Sequence, residues 1–148
     1  MAKVEKRVFE VTIGEKVFRR VSDRVLYTHA VFYRVDREGR IRRDAARMPT
    51  DGDRLAYSRW EVEAARATGA DAERLRAMVE GGFDAYFART VAAKVAKIKA
   101  NPDWMYEPLL YRWSKSEAGA HKGAAELLGD DTREVRVFEV GTVLDRWP

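Results

Sequence analysis

The chain has 148 residues, 46% of them hydrophobic, which suits one domain large enough to bury a single core without metal or disulfide support. It contains no cysteine, and this excludes a disulfide framework, a thiolate metal site and a cysteine nucleophile. The 28 Lys or Arg against 24 Asp or Glu leave a formal charge of +4, a nearly balanced and solubilising surface.

Residues 1–7 lead straight into alternating sequence rather than an apolar leader, and no later apolar run approaches ~18 residues. Neither secretion nor membrane insertion is expected, and the cytoplasm is the expected location. Residues 8–13 and 16–21 read as two strands joined by a turn at Gly14 and Glu15, a hairpin. Ser22 and Asp23 break the pattern before residues 24–35, an apolar run with β-branched and aromatic residues on both alternating faces. Val25, Tyr27, His29, Val31, Tyr33 and Val35 share one face, and Leu26, Thr28, Ala30, Phe32 and Arg34 the other. A central strand covered on both sides is expected there. Asp36, Arg37, Glu38 and Gly39 then offer a turn, and a short strand over 40–43 would complete a second hairpin.

Residues 44–53 lose periodicity around Pro49 and Gly52 and read as a loop. Ser58 and Glu61 have capping-box spacing and predict a helix that ends at Gly69. Asp71 can cap a longer one, with Leu75, Met78, Val79, Phe83, Phe87, Val91, Val95 and Ile98 forming a stripe that Asn101 and Pro102 stop. Gly81 and Gly82 predict either a kink or two consecutive helices. After an aromatic-rich stretch and a short extended piece at 109–113, Ser114 and Glu117 predict a last helix ending at Gly129, its small residues suited to docking on a sheet. Residues 134–140 are the closing strand.

Strands, then helices, then a strand predict an α+β domain over residues 1–148, with an antiparallel sheet of about four to five strands covered by helices. The last strand is expected near the central one. The first strand, left at an edge, could pair with a second copy, but the oligomeric state is not readable.

Six arginines, Arg34, Arg37, Arg40, Arg42, Arg43 and Arg47, cluster on the second hairpin, and a basic β-ribbon can lie along a nucleic-acid backbone. Residues 1–54 carry 14 Lys or Arg against 9 Asp or Glu, so the basic excess lies there. The plain alternative is a solvated turn with local ion pairs of ~0 to 1 kcal/mol each. Trp60, Trp104, Tyr106, Tyr111 and Trp113 are of the types that dominate protein interfaces. Trp104 and Tyr106 flank a proline loop and are the interface candidates, with packing in the core or loop as the favoured plain alternative, whereas Trp60 and Trp113 read as buried staples at helix entries.

His29 and His121 are the only histidines, no ligand-like spacing accompanies them, and no metal or cofactor is expected. His29 is the one candidate for acid/base catalysis; otherwise it is a strand residue packed beside Tyr27 or Tyr33. Gly81-Gly82 lacks the Lys-Ser or Lys-Thr of a phosphate loop.

Tyr27-Thr28-His29-Ala30-Val31 and Trp113-Ser114-Lys115-Ser116, followed by an Ala-rich helix and a Val-rich strand, resemble a group of small uncharacterised proteins of actinobacterial bacteriophages. The match covers about a third of the chain, and residues 44–110 would be a helical insertion relative to that group. The resemblance implies a small intracellular accessory protein of a phage or prophage. Protein–protein interaction, with a host protein bound by an accessory or inhibitory factor, is therefore the leading expectation; nucleic-acid binding by the basic hairpin is the alternative, and an enzyme using His29 is third.

Overall fold

A computed structural model describes residues 5–130 and 132–148. The fold is α+β. Its strands are β1 (Arg7–Ile13), β2 (Lys16–Ser22), β3 (His29–Val35), β4 (Leu109–Ser114), β5 (Arg133–Glu139) and β6 (Val143–Leu144). Its helices are α1 (Arg37–Ala45), α2 (Asp51–Arg66), α3 (Ala70–Val79), α4 (Gly82–Ala100) and α5 (Glu117–Leu127), with a 3-10 turn at Asp103–Tyr106. Two compact units result, one of residues 1–39 and 102–148, the other of residues 40–101, with α1 running across the division.

The first unit holds two sheets of three strands, ordered β2-β1-β6 and β4-β3-β5, where one sheet of four to five strands was expected. Alternation fixes which residues face the core but not which strands share a ladder. β1 is therefore interior to its sheet, pairing antiparallel with β2 and parallel with β6, and is not the free edge. β3 lies between β4 and β5, antiparallel to both. The predicted two-sided burial holds over His29–Val35. Ala30 and Phe32 pack with Val11 and Ile13 of the other sheet, and Val31 packs with Ala120, Ala124 and Leu127 of α5. This unit is thus three layers, sheet on sheet on helix. The strand starts at His29 rather than at residue 24; residues 24–28 form a loop in which Tyr27 still meets the core, edge-on to Phe9 at 5.3 Å and tilted against Trp113.

Small residues let α5 approach β3. Ala120, Gly123, Ala124 and Leu127 recur at helical spacing and are all buried. The helix is capped by Ser116, which accepts from the Gly119 amide at 3.0 Å, and not by Ser114, whose buried hydroxyl donates to the Ser116 carbonyl at 2.9 Å.

The second unit comprises the rest of α1 with α2, α3 and α4. Residues 37–39 of the expected turn and the expected strand at 40–43 are part of α1: one apolar residue, Ile41, among arginines carries no strand signal, while Glu38 in the first turn and Arg42 and Arg43 in the last suit a helix dipole. Helix α2 starts seven residues before the predicted Ser58, because Thr50 and Asp53 form the capping box and absorb half of the expected loop. Ser58 lies inside the helix, donating to the Arg54 carbonyl at 3.1 Å. The helix ends at Arg66, and Gly69, at φ +71°, begins α3 in place of Asp71. Gly81 and Gly82 separate two helices rather than kinking one; both have left-handed φ, +82° and +86°, which a side chain rarely tolerates. Tyr57 of α2 meets Phe83 and Tyr86 of α4 at 5.7 and 5.4 Å.

Two glycines of α5 give opposite expectations. A Cβ at Gly119 would lie 2.8 Å from the Ser114 hydroxyl, itself held by Ser116, whereas one at Gly123 would meet Val31 and Arg112 at 3.6 Å, ordinary contact. Gly119→Ala should destabilise the fold by ~1–3 kcal/mol, and Gly123→Ala should stabilise it by up to ~1 kcal/mol through helix propensity. Urea unfolding of the two variants checks both signs.

Candidate functional site

The six arginines of the expected ribbon lie on three different elements, so the basic β-hairpin does not exist. Arg34 is on β3, Arg37, Arg40, Arg42 and Arg43 are on α1, and Arg47 follows that helix. Half of them tie the fold together. The Arg34 Nε donates to Glu134 at 2.9 Å, Trp147 donates its indole N–H to the same oxygen at 2.7 Å, and the guanidinium lies 5.5 Å from the Trp147 ring centroid. Arg37 donates to Asp103 at 2.7 Å and sits 4.3 Å from the Tyr106 ring centroid. Arg47 donates twice to Asp53, at 2.9 and 3.3 Å, over the Phe87 ring. These contacts have electrostatic signatures: the Asp103 bond raises the Arg37 pKa, the Arg34 bond lowers that of Glu134, and the Thr50 amide, then Arg47, lower that of Asp53. A phosphate approaching any of the three would compete with a carboxylate already in place.

The basic excess has moved with the helices. Residues 40–101 carry 13 Lys or Arg against 9 Asp or Glu, while the first unit carries 15 of each, so all of the +4 belongs to the helical unit.

The two interface candidates separate. The 3-10 turn at Asp103–Tyr106 is pinned by Arg37 at both ends, at Asp103 by a hydrogen bond and at Tyr106 by its ring, which leaves Tyr106 half-buried. Trp104, between those anchors, is 69% exposed. Met105, Leu109 and Tyr111 continue the exposed apolar residues into β4, which among the described residues is an edge strand paired only with β3. Tyr111 is oriented by a 2.5 Å hydrogen bond to Glu126, which raises its pKa and keeps its proton on. The result is a run of exposed aromatic and aliphatic residues on a backbone held in place. Met105 and Leu109 were not singled out from sequence; their signal was only their position beside Trp104 and Tyr111.

His29 is half-buried at the start of β3, with Nδ1 2.8 Å from the Thr28 hydroxyl. It borders an open cleft of about 690 Å³ with Arg7, Tyr27, Thr28 and Glu139. In register it stands opposite Ser114 and Glu139, but the Ser114 hydroxyl is committed to Ser116. His121 is exposed on α5, 3.6 Å from Glu117 one turn earlier. Among the described residues no group of three or more His, Asp or Glu could hold a metal ion, and no helix is long and apolar enough to cross a membrane. Trp113 packs on the core as a staple would, whereas Trp60, expected to be buried, is 37% exposed on α2.

No family model, no curated protein and no solved structure matches this chain.

Glu134 gives the stability of the fold a pH dependence. Its folded pKa is depressed, so its contribution to stability is present above the ordinary carboxylate range and is lost as pH falls through the folded value. The difference in unfolding free energy between wild type and Glu134→Gln should be full above about pH 5 and should close in more acidic solution. Chemical denaturation at a series of pH values measures it.

Proposed function

We propose that this chain is a small binding protein that docks onto a partner protein through Trp104, Met105, Leu109 and Tyr111. The observation carrying this reading is the exposure of Trp104 on a turn fixed at both ends by Arg37, continued by apolar residues into β4, an edge strand among the described residues. Aromatic anchors on pre-organised backbone are what interface hot spots consist of, and an open strand edge offers main-chain hydrogen bonds to an extended segment. The bacteriophage resemblance makes the partner a host protein and the chain an accessory or inhibitory factor. The contribution of the arginines is structural in this reading, since Arg37 positions the strip and does not contact the partner.

The test is affinity capture from lysate of an actinobacterial host, with and without nuclease, using wild type and Trp104→Ala. A stoichiometric protein should survive nuclease and be retained at least ~10-fold less by the variant, whose folding stability should change by less than ~0.5 kcal/mol. Equal capture by both proteins, or an equal loss of stability in the variant, overturns the reading. Retention of nucleic acid, with all protein lost after nuclease, would transfer the function to the basic helical unit and its Arg40, Arg42 and Arg43.

A further inference from the structure

We propose that the groove between α2 and α3 binds a small amphiphilic monoanion, an apolar body ending in one carboxylate. The groove encloses about 600 Å³ and is lined by Ala56, Arg59, Trp60 and Glu63 of α2 and by Arg74 and Leu75 of α3. That volume falls within the range of roughly 300–1000 Å³ in which small molecules bind. Its shape follows from the sequence. Ala64 and Ala72, the buried residues of the two helices, flank the short connection at 67–69, while one and two turns further from it Trp60 and Ala56 replace them on α2. Trp60 stays 37% exposed as a wall of the groove instead of packing shut against Leu75.

The charged groups choose the ligand. Three arginines of this unit are engaged, Arg47 by Asp53, Arg54 over the Phe83 ring at 4.4 Å, and Arg89 with the Met78 and Glu80 carbonyls at 2.8 Å, while Arg40, Arg66 and Arg76 do not line the groove. Arg59 makes no hydrogen bond or ion pair among the described residues, and Arg74 reaches only Asp71, at 3.8 Å and with both side chains more than 70% exposed. That separation is beyond hydrogen-bond length, so both guanidiniums keep N–H donors for an oxyanion. Glu63, one turn from Arg59 on the same helix face, limits the excess to a single positive charge and disfavours a dianion. Ala56, Trp60 and Leu75 are left to take the apolar body.

Decanoate, below its micellar concentration, is the probe, with decanol and decylammonium as neutral and cationic controls, titrated into the full chain by calorimetry. Decanoate should bind one to one and at least tenfold more tightly than either control. Arg59→Gln combined with Arg74→Gln should weaken decanoate at least tenfold and leave decanol unchanged; both positions are exposed, and a thermal melt confirms the fold. Ala56→Trp, which fills the groove without touching charge, should abolish binding of decanoate. Equal affinity for decanoate and decanol, no saturable binding, or decanoate affinity unchanged in either variant overturns the proposal.

Discussion

Val31 and Phe32 are neighbours in sequence, both are fully buried, and they face opposite ways. The first unit depends on this constraint, because a strand with two buried faces needs a layer on each side and hydrogen-bonded neighbours on each edge. Phe32 draws the β2-β1-β6 sheet onto one face through Val11, Ile13 and Phe18; Val31 draws α5 onto the other, and only a helix with alanine and glycine at its contact positions can come close enough. β4 and β5 occupy the two edges. The exposed strip that ends in β4 is presented by the outermost strand of a sheet whose centre cannot move without opening both layers.

A single device recurs in both units, an arginine held between a carboxylate and an aromatic ring. Arg34 lies between Glu134 and Trp147, Arg37 between Asp103 and Tyr106, and Arg47 between Asp53 and Phe87. The planar guanidinium can stack on a ring while its edge donates to oxygen, which lysine cannot do as well. The arginine abundance of this chain is in this respect an architectural habit. Each clamp fixes a segment with little regular structure of its own: the C-terminal residues, the 3-10 turn, and the entry to α2.

What the sequence discloses follows the range of the interactions. The alternation of His29 to Val35 and the small face of α5 are local patterns imposed by burial, and both are readable. Sheet membership is not, because the inner residues of β1 would look the same facing any partner, and β6 is two residues long. Motif spacing misleads where two sites satisfy it. Thr50 with Asp53 and Ser58 with Glu61 have equal claims on the start of α2, as do Ser114 and Ser116 on α5, and in both cases the spacing alone does not say which hydroxyl accepts from the first turn: it is Thr50 on α2 and Ser116 on α5. The arginines of α1 were read as a ribbon because one isoleucine among four charges has no period. At Asp103–Tyr106 the proline loop let Trp104 be singled out as a candidate exposed residue, whereas burial of Tyr106 depends on Arg37, far away in sequence, and no local pattern records it.

β3 and β4 are antiparallel neighbours, with Tyr33 opposite Leu109, yet the chain between them is the entire helical unit. In an ordinary hairpin a turn of a few residues would make that connection. Closing a floppy loop costs about 0.6 kcal/mol more for each doubling of its length, so a connection of this size would weaken the pairing if it stayed unstructured. Helices within the excursion shorten the effective loop, and strand pairing is then coupled to how well the inserted segment folds. Lineages of this protein could therefore enlarge, trim or exchange residues 40–101 while keeping the β-sheet scaffold, provided that the segment still folds and returns its two ends to adjacent strands.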